Sequence, residues 1–213
     1  MCEYDGFVFL HSEDMIPEWK LCIVGETGVG KSSILRRYKD DAFINGSTTI
    51  GAAYSKVKLV VDGITHRVNV WDTAGQERFR SLVPIYYRRC SAAILVFSVD
   101  RMESFRKVVD YWMPAIKNQE KNERRNIITC IVGNKADLKQ HRQISTEEAE
   151  TFAIRTDSIY FETSAKTGDN VDELFLTIAR RVTLEMTEEQ TKLSSLVHLT
   201  NQESEEVEQR SCC

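Results

Sequence analysis

Apolar positions along the chain follow two periods that take turns. Short runs have the length and side chains of strands: Lys20-Leu21-Cys22-Ile23-Val24, Val57-Lys58-Leu59-Val60-Val61, Arg67-Val68-Asn69-Val70-Trp71, Ala92 to Val99, Ile127 to Val132, and Ile159-Tyr160-Phe161-Glu162. Helical spacing separates most of them. Lys31 opens a helix that should end near Asp40-Asp41. Phe105, Val108, Val109, Trp112 and Ile116 form a stripe at i, i+3, i+4, i+7 and i+11, and Pro114 inside it predicts a kink or an early stop. Ser145-Thr146-Glu147-Glu148 reads as a capping box that opens a further helix. Val171, Leu174, Phe175, Ile178 and Val182 mark the last one. Asp62-Gly63, between two strand runs, signals a hairpin.

This order predicts an α/β fold: a layered, mostly parallel sheet with one antiparallel edge strand. Residues 1–18 show no period and read as a loose extension, 19–184 as one domain, and 185–213 as a flexible acidic tail. Ligands of such sheets sit at the carboxyl ends of the strands. The candidate motifs fall there.

The first strand runs into Gly25-Glu26-Thr27-Gly28-Val29-Gly30-Lys31-Ser32, which fits G-x-x-x-x-G-K-[ST]. Its glycines let backbone curl round a phosphate, and the helix start beyond it offers unpaired N–H groups and a positive dipole end. Lys31 brings a mobile charge and Ser32 a hydroxyl for Mg²⁺. A Gly-rich turn would supply the same glycines, but strand, loop, Lys-Ser and helix stand here in register. Asp72, at the end of the third strand run, opens Asp72-Thr73-Ala74-Gly75-Gln76. Its carboxylate suits Mg²⁺, Gly75 can offer a bare N–H to a γ-phosphate, and Gln76 can orient an attacking water. Asn134-Lys135-Ala136-Asp137 follows the fifth run. An Asp carboxylate accepts two parallel N–H bonds, which the edge of guanine offers and adenine does not, and the stem of Lys135 can lie over a base. In Glu162-Thr163-Ser164-Ala165-Lys166 the small Ala165 lets a backbone N–H approach a base carbonyl.

Composition narrows the field. The net charge of −4 disfavours binding by neutralising nucleic-acid phosphates. It is concentrated in residues 183–213, which sum to −5. No apolar run approaches the ~18 residues of a membrane span, residues 1–19 lack a secretory pattern, and Cys2 stands where myristoylation needs Gly. Cys22 and Cys130 lie in apolar runs, so a reducing compartment is expected.

The ordered set Gly25–Ser32, Thr49, Asp72–Gln76, Asn134–Asp137 and Ser164–Lys166 resembles the Ras superfamily of small GTPases. Ile50-Gly51-Ala52-Ala53-Tyr54, Trp71 to Leu82, Tyr86-Tyr87-Arg88 and Cys212-Cys213 narrow the resemblance to the Rab family, and the first of these to its endocytic, early-endosome members. The resemblance implies a Ras-like P-loop G domain with a six-stranded sheet and five helices. It implies GTP/GDP and Mg²⁺ as ligands. Thr27, Gly28, Val29, Gly30, Lys31, Ser32, Ser33, Phe43, Thr49, Gly75, Asn134, Lys135, Asp137, Ser164, Ala165 and Lys166 would hold nucleotide, and Ser32, Thr49 and Asp72 would hold the metal. Lys31 and Gln76 would serve hydrolysis. Residues of about 43–54 and 74–90 would be the switches, ordered with GTP and released after hydrolysis. Tyr54, Trp71 and Tyr86 would be read by effectors.

It further implies slow turnover until an activating protein helps, an exchange factor, and a monomer. Two prenyl groups on Cys212 and Cys213 would hold the protein on the cytoplasmic face of endosomal membranes, with a cytosolic pool, a prenylation escort and a lipid-masking carrier. Three departures stand out. Thr27 replaces the usual Gly or Ser, and could crowd the γ-phosphate. Only five residues separate Phe43 from Thr49, none aromatic. Arg89-Cys90 replaces Gly-Ala, which suggests a change of partner there. No arginine in the motifs is placed to act on the phosphates in cis. A constitutively GTP-bound, non-hydrolysing scaffold is the alternative reading, and a P-loop ATPase or kinase a more remote one.

Overall fold

A computed structural model describes residues 16–44, 49, 51–75, 83–188 and 191. Six strands and five helices follow one another: β1 Glu18–Gly25, α1 Lys31–Asp40, β2 Ala52–Val61, β3 Ile64–Thr73, α2 Val83–Tyr87, β4 Ala92–Ser98, α3 102–123, β5 Ile128–Asn134, α4 Thr146–Arg155, β6 Ile159–Thr163 and α5 171–188. The sheet order is β2-β3-β1-β4-β5-β6. Only β2 and β3 pair antiparallel, from Ala52↔Thr73 down to Val61↔Ile64. Asp62 and Gly63 both have positive φ, 49° and 81°, the two-residue turn whose twist matches the flanking strands. The predicted fold class therefore holds, with β1 starting one residue before the expected boundary.

Period-2 alternation sorts the core into two layers. Leu21, Ile23, Ile94, Val96 and Val132 face one side, against Ile34 of α1 and Leu174, Phe175 and Ile178 of α5. Cys22, Val24, Leu95, Phe97 and Ile131 face the other, against Phe105, Trp112 and Ile116 of α3 and Phe152 of α4. Tyr38 stacks on Phe175 at 4.0 Å between ring centroids, which locks α1 to α5.

Pro114 neither stops α3 nor leaves it regular. The helix is α-helical over Met102–Lys107, makes a π-helical turn over Val108–Trp112, and resumes as α-helix over Met113–Glu123. Proline has no N–H for the carbonyl four residues back, and a wider turn just ahead of it absorbs that mismatch. Trp112 and Ile116 stay buried on the same core face. At α4, the Ser145 hydroxyl accepts the Glu148 N–H at 3.1 Å, half of the predicted capping box.

The Arg89-Cys90 pair belongs to the fold more than to a surface. Cys90 is fully buried in the second layer. Burial pushes its thiol up to about 12, so it is inert. Arg89 sits at φ 55°, a left-handed conformation that glycine adopts freely, with its N–H on the Glu123 carboxylate. Of the pair, only Arg89 is exposed enough to meet a partner.

Candidate functional site

The sheet order reverses at β1, whose neighbours β3 and β4 lead to opposite edges. A crevice opens above such a point. Here it is a cavity of about 510 Å³, within the range of small-ligand sites. Its walls include Thr27, Gly28, Gly30, Lys31, Ser32 and Ser33 from the first loop and Phe43, Thr49 and Gly75 from the segments around β2 and β3. The far end is lined by Asn134, Lys135, Asp137, Ala165 and Lys166. Leu138 also lines it, as does Thr73, to which the Asp72–Gln76 motif gave no role. Val29, Asp72 and Ser164 are buried and do not themselves line it. Gln76 lies outside the described residues, as do Cys212 and Cys213.

The phosphate end is built from β1 and α1. Gly30 is the N-cap of α1 and supplies no side-chain cap, so the first N–H groups of the helix are left for an anion. Lys31 is buried and folds back to donate to the carbonyls of Gly25 and Glu26, each at 2.9 Å. Burial lowers its pKa to about 8, against the pull of Asp72 and Glu26. Gly75 crosses this loop closely: a Cβ there would stand 2.3 Å from Glu26 C and Thr27 N. Only glycine lets the segment after β3 touch the loop.

Three oxygen side chains meet at the start of α1. The Ser32 hydroxyl donates to Asp72 Oδ2 and lies 2.7 Å from Thr49 Oγ1. The other Asp72 oxygen, Oδ1, is buried with no hydrogen-bond partner. Burial also pushes the Asp72 carboxyl up, against Ser32, Lys31 and Arg36, which pull it down. A buried, unsatisfied carboxylate oxygen beside two hydroxyls and a cavity is what a hard divalent cation would satisfy. Among the described residues no three His, Cys, Asp or Glu converge. The donors thus form an incomplete shell that suits Mg²⁺, which keeps waters and takes phosphate oxygens.

The far end hangs on Asn134. Its Nδ2 donates to Val29 O at 2.8 Å, and its Oδ1 accepts from Thr163 Oγ1 and from the N–H of Ala165, each at 3.2 Å. A Cβ on Gly30, at φ 100°, would fall 2.2 Å from that Nδ2. Asn134 therefore braces the two ends of the cavity. The Ala165 N–H, expected to meet a base carbonyl, points to this brace over a long bond. Ser164 Oγ donates to Asp137 Oδ1 at 2.7 Å and sets that carboxylate in the wall. Arg37 of α1 donates to the carbonyls of Ala165 and Lys166, at 3.0 and 2.9 Å. Arg142 forks onto Glu162 with two bonds of 2.6 Å, which anchors the end of β6.

Sequence reasoning missed Arg101. It stands at the N-cap of α3, and its Nη2 donates to the carbonyl of Thr27 at 2.7 Å. Its only signal in the sequence is a position just past the end of β4, at the same carboxyl end of the sheet as the loop.

Away from the cavity, Tyr54, Trp71 and Tyr86 form one aromatic cluster. Ring centroids lie 5.3 Å apart for Tyr54–Trp71 and 5.5 Å for Trp71–Tyr86. Tyr54 is 48 % exposed, and its hydroxyl donates to Asn69 Oδ1 at 2.6 Å.

Comparison with known proteins agrees with this geometry. The family model described as "Ras family" matches residues 20–184. Human Rab-22A is 40 % identical over 166 residues, which cover 78 % of this chain and 84 % of the relative. RABF2a of Arabidopsis thaliana is 42 % identical over 164 residues, 76 % of this chain and 80 % of its own length. Mouse Rab-31 is 40 % identical over 168 residues, with 78 % and 84 % covered. The chain belongs to the Ras family and is a Rab small GTPase of the endosomal group. Its work lies in membrane traffic, and exchange factors, activating proteins and effectors are the general partners of its family.

Proposed function

We propose that this Rab is a slow GTP/GDP switch whose GTP state recruits effectors to endosomal membranes. The observation that carries the reading is the meeting of Ser32 and Thr49, which line the same cavity as Asp137, with the buried Asp72, one of whose carboxylate oxygens is unsatisfied. Lys31 and the first N–H groups of α1 would take the β- and γ-phosphates. Ser32, Thr49 and Asp72 would hold Mg²⁺, which neutralises charge on the phosphate oxygens. Asp137 would accept two N–H bonds from guanine, the stem of Lys135 would cover the base, and Phe43 would pack on it from the open side. Gln76 would orient the attacking water.

Tyr54, Trp71 and Tyr86 adjoin both switch segments, so effector contact there would depend on the bound nucleotide. Kinship with Rab-22A and Rab-31 supports an endosomal membrane. Among the described residues no helix is long and apolar enough to cross one. Two prenyl groups on Cys212 and Cys213 are the proposed attachment, with an escort and a lipid-masking carrier.

Thr27 lines the cavity, and this favours a second reading, a scaffold that holds GTP without hydrolysing it. Single-turnover hydrolysis with Mg²⁺, beside Gln76→Leu, separates the two. Slow phosphate release that Gln76→Leu suppresses supports the switch. GTP intact for days in both proteins supports the scaffold.

A further inference from the structure

We propose that Arg101 is a positioning residue of the phosphate loop, which aims the N–H of Gly28 at the phosphates by holding the carbonyl of Thr27. The proposal rests on the nucleotide-binding reading above and adds the residue that sets the loop's donor.

Thr27 C=O and Gly28 N–H belong to one peptide group. The described chain has no cis peptide bond, and in a planar trans peptide these two bonds point opposite ways. Arg101 Nη2 lies 2.7 Å from Thr27 O. The bond therefore fixes the carbonyl away from the loop's hollow and the N–H toward it. Without a donor there, the peptide could turn over, since Gly28 at φ 76° has no side chain to resist. The guanidinium also packs against Gly28: its Nη1 is 3.8 Å from the place of a Cβ. A charged donor on the carbonyl polarises the whole peptide and strengthens its N–H as a donor.

Arg101 is itself held firmly. Its N–H donates to Ser98 O at 3.0 Å, and its carbonyl accepts from Ser104 Oγ and N, at 2.7 and 3.0 Å. Ser98 is the last residue of β4, paired with Asn134 of β5, so the arginine stem rises from the rigid middle of the sheet. Its charge is also felt at Lys31, where it is one of the influences that lower the ammonium pKa.

The test uses the full chain loaded with GDP and Mg²⁺, with Arg101→Met, Arg101→Lys and, as a charge control, the exposed Arg106→Met. Three readouts are followed: release of fluorescently labelled GDP, the Gly28 amide resonance, and the ³¹P resonance of the bound β-phosphate. Arg101→Met should speed release by roughly tenfold, the scale of one charge-assisted bond, and should move both resonances. Arg101→Lys should restore most of each, and Arg106→Met should change none. Unchanged release and an unmoved Gly28 amide in Arg101→Met would overturn the proposal. Faster release with that amide unmoved would also overturn it, leaving Arg101 a structural prop. Equal effects from Arg106→Met would assign the change to bulk charge, again against the proposal. A wild-type chain that fails to retain labelled GDP would overturn the nucleotide reading, and this proposal with it.

Discussion

The indole N–H of Trp19 donates to Nδ1 of His66 at 3.3 Å, with both side chains buried. That bond fixes the tautomer, because Nδ1 must be bare to accept. Nε2 therefore carries the proton and faces Thr183 Oγ1 at 3.4 Å, and Thr183 donates onward to Ala179 O at 2.8 Å. The chain of bonds ties β1 and β3 to α5, and it runs only while His66 is neutral.

Burial lowers the His66 pKa below its ordinary value. As pH falls through about 6.5, the unfolded chain takes up a proton that the folded chain refuses. Stability should thus be lost from that point downward through the folded pKa. Thermal melts between about pH 7.5 and 5.5 would show the loss, and His66→Leu should flatten that part of the profile. Trp19→Phe should cost about 1–2 kcal/mol near neutrality by leaving Nδ1 buried and unpaired.

Lys31 follows the same direction at higher pH in the nucleotide-free chain. Its pKa falls from 10.5 to about 8, so between those values the unfolded chain keeps a proton that the folded chain sheds. Stability of the nucleotide-free protein should rise with pH across that window. Polyphosphate needs the charged amine, so nucleotide affinity should fall above about pH 8 with proton uptake on binding. Calorimetry in buffers of different ionisation enthalpy measures that proton directly.

Gly75→Ala places a methyl where the Glu26–Thr27 peptide lies, 2.3 Å from two of its atoms. The segment after β3 must retreat from the phosphate loop. Single-turnover GTP hydrolysis should fall by about 10²-fold, the scale of a misplacement near 1 Å. GDP release should change far less, because the loop itself and Asp137 are untouched.

Arg89→Gly relieves a left-handed residue. The αL cost for an L-residue exceeds the extra chain entropy of glycine, so stability should rise by roughly 0.5–1 kcal/mol. The N–H that Glu123 accepts is kept. Urea denaturation of the GDP-bound protein checks the sign.

What could be read from the sequence was local. Asp62-Gly63 announced its turn, Ser145 its cap, and the stripe from Val171 to Val182 its buried face. Each needs only neighbours along the chain. Arg101 on Thr27 spans 74 residues, and Arg37 on Ala165 spans 128, so no periodicity could bring them together. Asn134 was expected to hold nucleotide, and it does line the cavity, but its amide is committed to Val29, Thr163 and Ala165. That role depends on β1 and β5 reaching the same crevice from either side of β4. Pro114 was legible as a disturbance, but not as a π-helical turn, because the packing of Trp112 and Ile116 decides how the helix accommodates it. Cys90 was legible as a departure, while its burial followed only from the second core layer.

The brace at Asn134 couples the two ends of the cavity. One amide bonds the loop that would embrace the phosphates and the segment that would flank the base. A change at Asn134 would therefore be felt at both ends together. Asp137, which would choose the base, stands outside this brace and leans on Ser164. Descendants of this chain could alter the choice of base at Asp137 and leave the grip on the phosphates as it is.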